Sequence, residues 1–197
     1  MSASPPRQPG APYADWREEA WRIHLVLSAR KKHWAPGSAE DRRHLAMGLI
    51  GEAGEAANLM AKEWRGDAVA AGAFAEELAD IRIYLELLAR ASGVPLPPRN
   101  ARIECSIMPL TARRSQYRHS LMFGLAASAG LVARAVERDI VEESYHRAGV
   151  LASELHALLP RVRAYLELEA EVAGVDLFDA ACAKIEKLYD RWPEARP

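Results

Sequence analysis

The sequence predicts an all-α protein. Apolar residues recur at three- and four-residue spacing along nearly all of the 197 residues, and no alternating apolar–polar stretch runs for more than a few positions. Proline and glycine fall at the ends of those periodic stretches, as in Pro36-Gly37-Ser38 and Ser92-Gly93 followed by Pro95, Pro97 and Pro98.

Each element follows from these signals. A first helix is expected over Trp16 to Lys32, with Trp16, Ala20, Ile23/His24, Val26/Leu27 and Ala29/Arg30 as its stripe. Ser38, with Asp41 three residues later, is an N-cap signal for a second helix, Ala39 to Trp64, which Arg65-Gly66-Asp67 ends. A third runs from about Val69 to Ala91. Three more are expected near Arg113 to Arg138, Val141 to Ala173 and Phe178 to Arg191, with Pro160 kinking or dividing the long middle one.

Composition excludes several function classes. A formal net charge of −1 implies no bulk attraction to nucleic acid or to anionic membrane. Cys105 and Cys182 lack zinc-type or CxxC spacing, and Met1 to Tyr13 is rich in Pro, Ser and Gly, a tail rather than a leader. Leu121 to Ala133 is too short for a membrane span. A soluble protein of the reducing cytoplasm is the expectation.

The chain also repeats itself. Gly48-Leu-Ile-Gly-Glu-Ala-Gly-Glu-Ala-Ala57 aligns with Gly124-Leu-Ala-Ala-Ser-Ala-Gly-Leu-Val-Ala133, 76 residues further on. Tyr84-Leu-Glu-Leu-Leu-Ala-Arg-Ala-Ser-Gly-Val94 aligns with Tyr165-Leu-Glu-Leu-Glu-Ala-Glu-Val-Ala-Gly-Val175, 81 further on. Two tandem pseudo-repeats are expected, residues 14–98 and 99–197, after a tail of residues 1–13.

Only the first repeat carries a particular set of acids. Glu52 and Glu55, then Glu77 and Asp80, each at i,i+3 spacing, leave one face of their helix amid apolar neighbours. Like charges so placed repel, and buried carboxylates without a partner neutralise, so a shared cation explains them best. At the aligned positions stand Ser128, Leu131, Leu158 and Arg161, a loss of all four together, as expected of a ligand set. Carboxylates without His or thiolate select a hard ion, Mg²⁺ with Mn²⁺ as substitute. Such an ion suits hydrolysis of a phosphoanhydride.

The paired motif, Glu52-x-x-Glu55, a gap of 21 residues and Glu77-x-x-Asp80, in the setting Gly-Glu-Ala-Gly-Glu-Ala-Ala and Glu-Glu-Leu-Ala-Asp-Ile-Arg-Ile-Tyr-Leu, resembles the MazG-like all-α nucleoside triphosphate pyrophosphohydrolases. All-α dUTPases and dCTP pyrophosphatases are relatives within that group, and the resemblance covers about Trp16 to Val94. It implies a helical bundle holding Mg²⁺ through Glu52, Glu55, Glu77 and Asp80, with cleavage of a nucleoside triphosphate between its α and β phosphates. It also implies phosphate contacts from a late helix, where Lys184 and Arg191 match, Lys187 lies between them, and Leu188 replaces a usual Asn. Asn58, Lys62 and Trp64 resemble a segment beside the nucleotide. The family's site forms between two subunits, so the second repeat would stand in for a partner as a covalent pseudo-dimer, with room for further self-association.

Other readings compete. Trp16, Trp21 and Trp34 could border a base, although core packing is the commoner use of tryptophan. Glu143-Ser-Tyr-His146 is a single ExxH, whereas a di-iron bundle needs two. A nucleotide-binding regulatory bundle that no longer turns over, and a purely structural helical module, are the rival function classes.

Overall fold

The computed structural model describes residues 15–30, 35–96, 114–142 and 150–197. The expectations for Met1 to Tyr13, Trp34, Cys105 and the Glu143–His146 motif lie outside the described residues. Six α-helices occupy the rest: α1 Trp16–Arg30, α2 Ala39–Arg65, α3 Ala73–Ala91, α4 Arg114–Glu142, α5 Val150–Ala173 and α6 Leu177–Arg191, with a 3₁₀ turn at Pro193–Ala195. Among the described residues there is no strand.

Local chemistry sets the helix ends. Ser38 caps α2 by accepting from the Asp41 N–H at 3.1 Å. The Asp41 carboxylate turns aside: its oxygens accept from the Gly37 N–H at 2.7 Å and meet His24 Nε2 at 3.0 Å, which ties α1 to the start of α2. The third helix begins at Ala73, four residues later than the sequence predicts. Gly72 at φ 84° cannot continue a helix; Ala71 and Gly72 form a turn, and Val69 and Ala70 before it have no regular structure. Pro160 sits inside a continuous α5, so it does not divide that helix. The described part of α5 starts at Val150, and Val141 belongs to the end of α4.

Helices α2, α3, α5 and α4 form a ring of neighbours, each packed on the next, while α1 and α6 both lie on α3 and touch one another. The core runs through all six helices, with Leu49, Leu78, Leu85, Leu125, Leu159 and Ile185 fully inaccessible. Within residues 118–141 of α4 an 18-residue window has a mean hydropathy of 1.3, so the helix is long and apolar enough to cross a membrane by length and composition alone. Their Leu121, Met122, Leu125, Ala129, Val132 and Val136 are buried in the protein interior.

The same contacts occur in the α2–α3 pair and the α4–α5 pair. A Cβ at Gly48 would overlap the Tyr84 ring, and one at Gly124 would overlap the Tyr165 ring. Each glycine therefore lets a tyrosine lie flat on the neighbouring helix backbone. Arg82 bonds Glu86 at 2.6 Å, and Arg163 bonds Glu167 at 2.7 Å. Both C-termini close identically: Gly93 (φ 64°) with Val94 N–H donating to Ala89 O at 2.9 Å, and Gly174 (φ 71°) with Val175 N–H donating to Ala170 O at 2.8 Å.

Candidate active site

Packing of α2 against α3 decides how the acids meet. Ala53 and Ala56 point into the core from α2, as Leu78, Ala79 and Ile81 do from α3. The positions beside them on each helix, Glu52, Glu55, Glu77 and Asp80, then lie along the seam between the two. Glu52, Glu55 and Glu77 each bring an oxygen within 4.8 Å of the others. Asp80, one turn along α3, is bonded by the Lys184 ammonium of α6.

Crowding shows in the electrostatics. Burial pushes the Glu52 carboxyl up to about 7, with the charges of Asp80, Glu55 and Glu77 adding to the rise. Glu77 is raised for the same reasons, burial first, then Glu55 and Asp80. Asp80 is raised by burial although Lys184 pulls the other way. A group of carboxylates that resists ionising in the bare protein is one that a cation would stabilise, and the donors are all hard oxygens.

A cleft of about 380 Å³ opens from these acids between α1, α2, α3 and α6. Glu52, Asp80, Tyr84 and Lys184 line its polar end. Ile23, Leu27, Leu188 and Trp192 line its apolar end, with Arg30 and Arg191 at the same wall. Lys184, Leu188, Arg191 and Trp192 share one face of α6 and its exit. The helical rise from Lys184 to Arg191 is about 10 Å.

Of the residues singled out from sequence, Glu52, Asp80, Lys184 and Arg191 line this cleft. Glu55 and Glu77 complete the acid cluster beside it. Lys187 points to the rim, where it pairs with Glu76 at 2.7 Å with both side chains half exposed. Asn58, Lys62 and Trp64 are not among the cleft's lining residues. Lys62 is seven residues beyond Glu55 on the same stripe of α2. Asn58 is exposed, and Trp64 is 75% exposed with its ring 5.1 Å from that of His119. Trp16 is a core residue, 3% exposed beneath the Arg82 guanidinium, and Trp21 stacks on His24 and under Arg90, outside the cleft lining.

Sequence reasoning missed several lining residues. His24 and Ser28 face the cleft from α1, and Asp41 holds the His24 ring from behind. Burial alone would raise Asp41, yet the bonds from His24 and Gly37 keep it below the ordinary carboxylate range. His44 and Trp192 also line the cleft. The position of His24 on the apolar stripe of α1 was the available signal. Trp192 was signalled by its spacing of eight from Lys184. Compared with protein-family models, with curated proteins and with solved structures, the chain matches none.

Proposed function

We propose that this protein is a Mg²⁺-dependent hydrolase of nucleoside triphosphates, of the MazG-like type, releasing the monophosphate and pyrophosphate. The observation that carries the reading is one cleft beside a cluster of oxygen donors whose lining also brings together apolar and aromatic side chains, Ile23, Leu27, Leu188 and Trp192, and the cations Lys184 and Arg191.

Glu52, Glu55, Glu77 and Asp80 would hold the ion. Bound there, Mg²⁺ supplies neutralisation of phosphate charge and a lowered pKa for an attacking water. The chain's own residues do the rest. Lys184 and Arg191 offset the charge of the departing pyrophosphate, and a carboxylate oxygen of the quartet that is not bound to the ion takes the water's proton. Ile23, Leu27 and Trp192 exclude water from the base, and the Trp192 ring offers a stacking surface. Leu188 donates no hydrogen bond where the family usually has Asn, so the sugar is held by shape on that side.

The α4–α5 pair would be a second, degenerate copy of α2–α3. Support comes from the paired Gly–Tyr, Arg–Glu and C-cap contacts. Leu131 and Leu158, aligned with Glu55 and Glu77, also come together at one surface depression, as the oxygens of the two acids come within 4.8 Å of each other. In this arrangement the C-terminal half contributes α6 to the site of the N-terminal half, in the manner of a fused dimer.

The test is pyrophosphate release from a panel of ribo- and deoxyribonucleoside triphosphates, with Mg²⁺ and with EDTA. Metal-dependent release from at least one of them is expected. Binding of a triphosphate without release would favour a silent regulatory bundle, and no binding with no shift in Tm would favour a structural module.

A further inference from the structure

The bond from Lys184 sets Asp80 apart from its three neighbours. Glu52, Glu55 and Glu77 present oxygens to one another. The fourth carboxylate is already occupied by an ammonium from a different helix, 104 residues away in sequence. Both side chains are largely shielded, 23% and 15% exposed. Lys187, almost one turn later on α6, makes the contrasting case: it and Glu76 are 56% and 49% exposed, a solvated rim pair.

What could move here is the Lys184 side chain rather than its helix. Asp176 caps the start of α6 by accepting from the Phe178 and Asp179 N–H groups, and Tyr189 donates to Glu19 of α1. At the exit, Arg30 of α1 lies over the Trp192 ring and pairs with Glu194. A lysine, with a flexible four-carbon stem and a compact charge, can change partners without disturbing those anchors. The cleft that Lys184 lines is also lined by Leu188 and Arg191 of the same helix, which gives a released ammonium open space beside it.

Resting on the metal-dependent reading above, we propose that Lys184 is the exchangeable counter-ion of this site: it holds Asp80 until a divalent cation takes that carboxylate, and the released ammonium then turns along the cleft to a phosphate of the substrate. The ammonium sits on Asp80 Oδ2, and a divalent cation taking that same oxygen would compete for its lone pairs and repel the ammonium strongly. Loading of the ion and binding of the polyphosphate are thereby coupled through one side chain, and the coupling is reciprocal. Without the ion, Lys184 is withheld from substrate, which makes the bare site a poor phosphate binder.

Two measurements on the full chain test the exchange. Mn²⁺ binding without nucleotide, followed by electron paramagnetic resonance, should tighten roughly five- to tenfold in Lys184→Met, since the competing ion pair is gone, and stay near wild type in Lys184→Arg. Amine acetylation read by mass spectrometry should show Lys184 slow to react in metal-free protein and several-fold faster with Mn²⁺, while Lys187 is unchanged. Equal or weaker Mn²⁺ binding in a folded Lys184→Met overturns the exchange, as does Lys184 reactivity that ignores Mn²⁺. The labelling uses the wild-type chain and decides the matter even if the methionine variant does not fold. Wild type and Glu55→Gln binding Mn²⁺ equally poorly would overturn the metal reading itself and the exchange with it.

Discussion

The α2–α3 pair and the α4–α5 pair use the same contacts and present different chemistry. In each, a tyrosine ring fills the space that a glycine leaves, an arginine bonds a glutamate one turn on, and a glycine-closed end brings a valine N–H to an alanine carbonyl. On the α2–α3 seam stand Glu52, Glu55, Glu77 and Asp80. The corresponding α4–α5 positions are Ser128, which is buried, Leu131 and Leu158 in a shallow depression, and Arg161, which is exposed. The contacts that the two pairs share do not involve the four acids.

The sharpest way to break that comparison is to neutralise an acid on the α2–α3 seam and to change the aligned residue on the α4–α5 seam. Glu55→Gln or Asp80→Asn should lower pyrophosphate release by roughly 100-fold or more, the scale for losing one essential charge-stabilising group. Leu131→Gln and Arg161→Asn should leave the rate within about twofold. Helicity by circular dichroism should be unchanged in all four. A comparable loss from the Leu131 or Arg161 variant would give the second seam a role in the chemistry.

The shared packing predicts equal effects instead. Gly48→Ala and Gly124→Ala should each destabilise, because the new methyl meets a tyrosine ring held on the neighbouring helix. Overpacking costs about 1–3 kcal/mol, and the helix propensity of alanine returns about 1 kcal/mol of it. A fall in Tm of a few degrees is expected in both, read by thermal unfolding. A neutral Gly124→Ala beside a damaging Gly48→Ala would show that the two glycine–tyrosine contacts are not equivalent.

Stability against pH separates the two pairs in a finer way. Glu52 is raised to about 7 by burial and then by the neighbouring acids. Glu169 of α5 is also raised to about 7, by burial, with the Arg118 partner opposing. A carboxylic acid whose pKa is raised by folding binds its proton more tightly in the native state. Its contribution is therefore full below about 4.5, the unfolded value, and is lost as pH rises through 7. The Tm of metal-free protein should fall between about pH 5 and pH 8. Glu52→Gln should flatten part of that fall, and Mg²⁺ should oppose the Glu52 part while leaving the Glu169 part in place. A slope identical in wild type and Glu52→Gln would remove Glu52 from the account.

Lys187→Ala should do least. Its pair with Glu76 is solvated, and exposed pairs are worth about 0–1 kcal/mol. Tm should move by no more than a degree or two. A several-fold rise in KM would return Lys187 to the phosphate site proposed for it from the sequence.

Much of this was legible in the residues. Six periodic stretches predicted six helices to within a few residues at most ends, because apolar spacing and the Ser38 and Gly66 signals are local. Val69 to Ala71 misled because alanine and valine carry no stop signal, and only the left-handed Gly72 delays α3. The i,i+3 acids were readable as a group because helical geometry alone puts each pair on one face. Asn58, Lys62 and Trp64 follow in sequence from those acids, yet the described cleft opens toward α1 and α6 instead.

By itself the amino-acid sequence determined the all-α class, the repeated motif and the acids with no counterpart in the second half, since each depends on spacing within one helix or on alignment of one stretch with another. Tertiary structure decided that Lys184 reaches Asp80, that His24 leans on Asp41, and that Trp192 closes the far end of the cleft. Those contacts join helices far apart in the chain. They depend on the angle and depth at which α1 and α6 settle on α3, which no local pattern records.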